Sequence, residues 1–140
     1  MAISSQTTAL LKAARQLLDD LPGDAVLLLT ETDLDWPMVA EIIPSEKLLV
    51  ATKDRALHEQ LLKTPNLIVL DIDPGPAPTH EQMSIALLEA VATERLKPSA
   101  HVVALYNGIG AIDDRPEQVD SVSVIHLGEH LERLTAADLR

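Results

Sequence analysis

Four short, largely apolar runs divide the chain, and amphipathic or polar segments separate them. The runs are Ala25–Leu29, Lys47–Ala51, Leu67–Leu70 and His101–Tyr106. Runs of this length that are apolar on every side are typical of strands buried on both faces of a parallel sheet. A fifth run, Ser121–His126, alternates polar and apolar residues. This alternation predicts a strand with one more exposed face, at an edge of the sheet.

The segments between these runs carry apolar residues at helical spacing. Thr8–Leu21 predicts the first helix, and a short second helix follows Asp35, a good N-cap residue with a proline in the first turn behind it. A third helix is predicted over Asp54–Lys63. Thr79 and Gln82 have the spacing of a capping box and predict the start of the longest helix.

This order of helices and strands predicts an α/β three-layer sandwich around a mixed five-stranded sheet. Right-handed crossovers require the helices to change face once, and the proline-rich loop Asp71–Pro78 with the long helix after it is the natural crossing. The strand order is then 3-2-1-4-5, with Ala25–Leu29 in the centre. The connection before Ser121–His126 is short for a parallel crossover, so we expect the last strand to run antiparallel. Residues 1–140 form a single domain in this interpretation.

Polar residues follow the first and the fourth strand, at the carboxyl ends where open α/β sheets bind ligands. We expect a small polar ligand in this switch-point crevice, held by hydroxyls and loop amides. Helix N-termini at that edge favour an anion, whereas Glu31 and Asp33 favour a cation or an amine. The candidate ligand-binding residues are Thr30, Glu31, Thr32, Asp33, Tyr106, Asn107 and Gly108.

Each of these groups has a purely structural alternative. Thr32, Asp33 or Asp35 would serve as the N-cap of the second helix, which is the more economical interpretation. Trp36 would either cover a ligand or pack the start of its helix onto the sheet. The segment Asn107-Gly108-Ile109-Gly110 predicts a turn rather than a phosphate loop, because it lacks a third glycine and no helix follows it.

The sequence contains no convincing catalytic or metal-binding pattern. Asp71 and Asp73 would bind Mg²⁺ only if the pair Asp113-Asp114 joined them, and loop acids facing water are the simpler interpretation. The histidines have no HExxH spacing, and neither a nucleophile elbow nor a Walker pattern is present. We therefore expect no catalytic residue, no metal and no cofactor. An enzyme of small-metabolite chemistry with Glu31 or Asp33 as acid or base is the alternative.

Charge and composition exclude several classes of binding partner and of chemistry. A formal net charge of -11 repels the phosphates of nucleic acids and of anionic lipids, so we expect neither nucleic acid nor membrane as a direct partner. The absence of cysteine excludes disulfides, thiol catalysis and thiolate metal sites. The N-terminus lacks the pattern of a signal peptide, and no apolar run reaches the roughly 20 residues that span a bilayer. We expect a cytoplasmic protein.

The last edge strand would allow two copies to pair as a homodimer.

The element order, with a leading helix and a final antiparallel strand, resembles the C-terminal domain of pyruvate kinase. The stretches Gln82–Ala90 and Lys97–Leu105 are similar to the last helix of that domain and to the strand after it. The resemblance implies a regulatory domain that carries no catalytic residue. Thr30–Asp33 is acidic where a sugar-phosphate effector site would be neutral or basic, so binding of fructose bisphosphate is not implied.

The C-terminal segments Val119–Leu127 and Glu129–Arg140 resemble a junction found in certain multidomain bacterial and archaeal proteins. There, a pyruvate-kinase-C-like domain precedes a diadenylate cyclase domain of the DNA-integrity-scanning type. The Asp-Gly-Ala and Arg-His-Arg motifs of the cyclase are absent from this sequence. The resemblance therefore implies the regulatory part of a longer chain that continues past Arg140. We expect a non-catalytic ligand-sensing domain for an attached or neighbouring cyclase, with a pure homo-oligomerisation module as an alternative.

Overall fold

The computed structural model describes residues 5–73, 75, 77–108 and 119–129 of the chain. Within these ranges the helices and strands lie close to their predicted positions, although the first helix begins at Ser5 rather than at Thr8. A short 3₁₀ turn, Ser45–Lys47, precedes the second strand. The elements in chain order are α1 (Ser5–Asp20), β1 (Ala25–Leu29), α2 (Trp36–Ile42), β2 (Leu48–Ala51), α3 (Arg55–Leu62), β3 (Ile68–Val69), α4 (Thr79–Ala92), β4 (His101–Tyr106) and β5 (Ser121–His126).

The five strands form one sheet in the order β3-β2-β1-β4-β5, which confirms the predicted topology. Strand β1 pairs in parallel with both β2 and β4, and all five of its residues are buried. Strand β5 pairs with β4 in the antiparallel direction, with Val103 opposite Val124. The central position of β1 explains its unbroken apolar sequence, because neighbouring elements cover both of its faces.

Two apolar cores, one on each face of the sheet, make the fold a three-layer sandwich. The side chains of Val26 and Leu28 face α1, α2 and α3, whereas those of Ala25, Leu27 and Leu29 face α4. Strand residues alternate between faces, so one apolar strand supplies both cores. The long helix after the proline-rich loop is therefore the element that changes face, as predicted.

Side-chain caps start the two helices that follow β1 and β2. Asp35 is the N-cap of α2, and its carboxylate accepts a hydrogen bond from the backbone N–H of Met38. Asp54 caps α3 by accepting from the backbone N–H groups of Ala56 and Leu57. Both caps satisfy donors that have no partner inside the helix.

The predicted capping box of α4 is wrong. Pro78 occupies the N-cap position and makes no side-chain cap, so Thr79 already lies inside the helix. The hydroxyl of Thr79 donates instead to the backbone carbonyl of Asn107, at 3.3 Å. The amide of Gln82 donates to the carbonyl of Ala77, at 2.7 Å. The helix begins at Thr79 as predicted, but Pro78 holds the N-cap position, so the spacing of a capping box is present without its hydrogen bonds.

The loop predicted between Asn107 and Gln118 is described only as far as Gly108, and the C-terminal segment only as far as Glu129. The rest of both predictions, including the pair Asp113-Asp114, lies outside the described residues. In the part of the chain that is described, no helix is both long and apolar enough to cross a membrane.

Candidate functional site

The switch-point crevice lies where β1 and β4 end beside the start of α4. Its volume is only about 20 Å³ among the described residues. A space of this size holds about one water molecule, whereas ligand clefts measure roughly 300–1,000 Å³. Three predicted site residues, Thr30, Glu31 and Asn107, meet in the crevice. The described residues that line it are Leu29, Thr30, Glu31, Thr79, Gln82, Asn107 and Val119.

Thr30 closes the turn that follows β1. Its hydroxyl donates to the backbone carbonyl of Thr32 at 2.8 Å and accepts from the backbone N–H of Thr32 at 3.2 Å. Its own backbone N–H continues the sheet by donating to the carbonyl of Ala51 at 3.0 Å. Thr30 is 3% exposed, so its hydroxyl is used within the protein and stabilises the path of the chain out of the sheet.

Glu31 joins the carboxyl ends of β1 and β2. One carboxylate oxygen accepts from the hydroxyl of Thr52 at 3.2 Å, and the other accepts from the backbone N–H of Lys53 at 3.3 Å. Thr52 is fully buried and also accepts from the backbone N–H of Asp54, at 3.1 Å. Glu31 thus connects the central strand to the start of α3. Thr52 is a site residue that the sequence analysis missed, although its place directly after β2 puts it at the same sheet edge.

Asp33 joins α2 to α3. One carboxylate oxygen accepts from the indole N–H of Trp36 at 2.8 Å, and the other accepts from the side-chain amide of Gln60 at 3.0 Å. We call these three residues the Asp33 bridge. Helix capping is therefore the role of Asp35 and not of Asp33. Trp36 is 9% exposed and belongs to the core under α2, which confirms that it packs the start of its helix onto the sheet.

Tyr106 and Gly108 lie at the end of β4 and connect it to β5. The hydroxyls of Tyr106 and Ser123 share a hydrogen bond of 2.7 Å across the two strands. The backbone N–H of Gly108 donates to the carboxylate of Asp120 at 2.8 Å. A Cβ atom at Gly108 would lie 2.8 Å from the hydroxyl oxygen of Ser121. Neither Tyr106 nor Gly108 lines the crevice, and both hold the edge of the sheet together.

A second and much larger cleft lies between α2 and the segment that joins α3 to β3. Its volume is about 560 Å³, within the range of small-molecule sites. No local sequence pattern predicts it, because helix α2 and the turn after α3 come from different parts of the chain and are brought together by the strand order. We call it the α2 cleft. It is lined by Leu34, Asp35, Trp36, Pro37, Ala40, Ser45, Leu48, Thr64, Pro65, Asn66 and Leu67.

Asp71, considered above for Mg²⁺ binding, lies beside two basic side chains. A guanidinium nitrogen of Arg55 and Nε2 of His58 each lie 3.7 Å from one carboxylate oxygen of Asp71. The side chain of Asp71 is 76% exposed, which agrees with a loop acid that faces water. Among the described residues, no group of three or more histidines and acids could hold a metal ion.

A comparison with protein families gives one result for almost the whole chain. The family model described as "Probable sensor domain DacZ_P", a domain associated with the diadenylate cyclase DacZ, matches residues 6–135. The match therefore covers the sheet, the crevice, the Asp33 bridge and the α2 cleft. No curated protein matches the chain.

Proposed function

The chain belongs to the family of the probable sensor domain DacZ_P, and we propose that it is the non-catalytic sensing domain of a diadenylate cyclase of the DNA-integrity-scanning type. The family match over residues 6–135 is the observation that carries the sensor assignment, whereas the type of cyclase is inferred from the resemblance of the C-terminal segments to a known domain junction. In this account the chain supplies regulation, and an attached or neighbouring cyclase domain converts ATP into cyclic di-AMP. ATP is a cytoplasmic metabolite, so we place the domain in the cytoplasm.

The hydrogen bonds at the carboxyl edge of the sheet support sensing over turnover. A general base must reach the proton of its substrate. Both oxygens of Glu31 and both oxygens of Asp33 accept hydrogen bonds from neighbouring elements. These carboxylates connect β1 to β2, α2 and α3. A ligand that contacts α2 or α3 would shift the balance between arrangements of those helices, provided that it binds one arrangement more tightly.

We also propose that the fold is that of the C-terminal domain of pyruvate kinase. The sheet order β3-β2-β1-β4-β5 with an antiparallel β5 supports this likeness. An experimental structure superposed on that domain would test it. A superposition that pairs all five strands in order would agree, and one that leaves β5 unmatched would not.

The proposal that this chain is not catalytic is tested with ATP as the substrate. The chain is incubated with ATP and Mg²⁺ or Mn²⁺, and cyclic di-AMP is measured by mass spectrometry. We expect no product from the chain, and continued synthesis by the parent cyclase after removal of residues 1–140. Product formed by the chain itself would overturn the non-catalytic assignment.

Homodimerisation is a second candidate function, favoured by the position of β5. In the described part of the chain β5 pairs only with β4, and Val124 on β5 is 39% exposed. An edge strand with free backbone groups is a template for pairing with a second copy. We expect sedimentation to show a dimer and Val124→Lys to shift it to monomer, because a lysine on an edge strand opposes pairing. A monomer at all concentrations, or a V124K dimer of unchanged affinity, would reject this function.

A further inference from the structure

The α2 cleft is the larger of the two candidate ligand sites, and its chemistry differs from that of the crevice. It offers about 560 Å³, against about 20 Å³ in the switch-point crevice. We propose that the α2 cleft binds a small organic cation, an apolar body that carries one ammonium group. This proposal names the ligand class of the proposed sensor and rests on that function for the consequence of binding, while binding itself is measured separately.

The walls of the cleft suit an apolar body. Leu34, Pro37 and Ala40 line it on the side of α2, and Pro65 and Leu67 line it on the opposite side. Ligand sites are mostly apolar, with a few polar groups that orient the ligand. The exposed positions of Pro37, Ala40 and Pro65 leave the apolar surface accessible to a ligand.

The charge of the lining favours a cation. Asp35 is the charged residue in the cleft, and none of its described lining residues is lysine or arginine. An adjoining recess of about 400 Å³ shares Ser45, Asn66 and Leu67 with the cleft and adds a second acid, Glu46. A phosphate or nucleotide would meet two carboxylates and no counter-charge there. The same acids attract an ammonium group.

The carboxylate of Asp35 retains an acceptor for a ligand. Its Oδ1 accepts from the backbone N–H of Met38 at 3.3 Å. Its Oδ2 accepts no hydrogen bond from the described residues, so it is available to an ammonium group. The start of α2 opposes a cation with a partial charge of about +0.5 at most, which is less than the full negative charge of Asp35.

The Asp33 bridge holds one wall of the cleft in place. Trp36 lines the cleft, and its indole N–H is bonded to Asp33, which is itself bonded to Gln60. The hydrogen bonds of the bridge already hold the indole ring in place before a ligand binds. Binding therefore costs less conformational entropy at this side chain. The bridge also gives the cleft a direct connection to α3, along which ligand binding would be transmitted.

The single tryptophan of the chain makes the test specific to this site. The chain is titrated with 2-phenylethylamine, 2-phenylethanol and 3-phenylpropionate, which share a phenyl body and differ in charge. Trp36 fluorescence and its indole N–H resonance report binding. We expect the amine to bind most tightly and the carboxylate most weakly. Equal binding of amine and carboxylate, or no saturable response to the amine, would overturn the proposal.

Three variants locate the cation site. Asp35→Asn removes the charge and retains the N-cap, since asparagine caps as well as aspartate. We expect it to weaken amine binding about fivefold and to leave alcohol binding unchanged. A fivefold loss of affinity is near the upper end of what an exposed ion pair contributes. Glu81→Gln is the matched control: this exposed acid lies on α4, across the sheet, and its loss should change neither. Ala40→Phe fills the cleft and should block both ligands.

Two further outcomes separate this proposal from the function on which it rests. Unchanged amine affinity in Asp35→Asn, with a native thermal transition, would reject the cation site whatever the domain does for the cyclase. Amine binding that Asp35→Asn weakens supports the site even if removal of residues 1–140 leaves cyclase regulation unchanged. In that second case the sensing function fails and the ligand class stands.

Discussion

At the scale of single residues, the acids at the carboxyl edge of the sheet are structural connectors. Glu31 binds the hydroxyl of Thr52, and Asp33 binds the indole of Trp36. Adjacent polar residues of similar type thus have distinct roles, because each lies beside a different neighbouring element. Asp35, two residues further on, is a helix cap.

Replacing Asp33 tests the bridge that it forms. Asp33→Ala leaves the nearly buried indole N–H of Trp36 without its acceptor, and an unsatisfied buried donor costs about 1–3 kcal/mol. We expect the free energy of unfolding, measured by urea denaturation, to fall by about that amount. Asp35→Asn is the control and should change it by less than about 0.5 kcal/mol, since the cap is retained. Equal effects of the two substitutions would contradict the assignment of the bridge.

At the scale of elements, β1 organises the molecule because it contributes to both cores. Its residues face α4 on one side and the three other helices on the other. Its carboxyl end is also the point from which the crevice and the Asp33 bridge begin. Packing and site geometry therefore depend on the same five-residue strand.

Truncating the centre of β1 measures this dependence. Leu27 is fully buried in the core between the sheet and α4. Replacing a buried leucine by alanine costs about 2–5 kcal/mol, because transfer free energy is lost and a cavity remains. Leu27→Ala should lower the free energy of unfolding by that amount. The same change at Leu62, which is 55% exposed on α3, should cost less than about 1 kcal/mol. Similar losses at both positions would show that β1 is not central to stability.

Sheet order and strand positions were predictable because apolar runs and the right-handed crossover rule leave few arrangements. The start of α4 at Thr79 was predicted, but its capping box was not, because a local spacing motif does not reveal that Pro78 takes the N-cap position. The hydrogen bond between Gln60 and Asp33 could not be predicted from the sequence. Gln60 is 27 positions away and comes close to Asp33 only through the packing of α3. The α2 cleft could not be predicted from any local sequence pattern, because its two walls come from separate segments of the chain.

At the scale of the whole molecule, the features of the described residues agree with the proposed regulatory role. The edge carboxylates are engaged, the α2 cleft of about 560 Å³ is lined mostly by apolar residues with Asp35 as its charged residue, and the family is that of a cyclase-associated sensor domain. The net charge of -11 fits an acidic surface that attracts cations. These properties together support the proposal that the domain binds a small molecule and thereby alters the activity of a cyclase.

The most direct test of that claim is the rate of cyclic di-AMP synthesis by the parent cyclase, measured with and without residues 1–140. Both proteins receive ATP and increasing amounts of a small-metabolite extract, and an extract depleted of amines by cation exchange serves as the comparison. We predict that the intact protein changes its rate with the extract and that the protein without residues 1–140 does not. An identical response of the two proteins would contradict the sensing function.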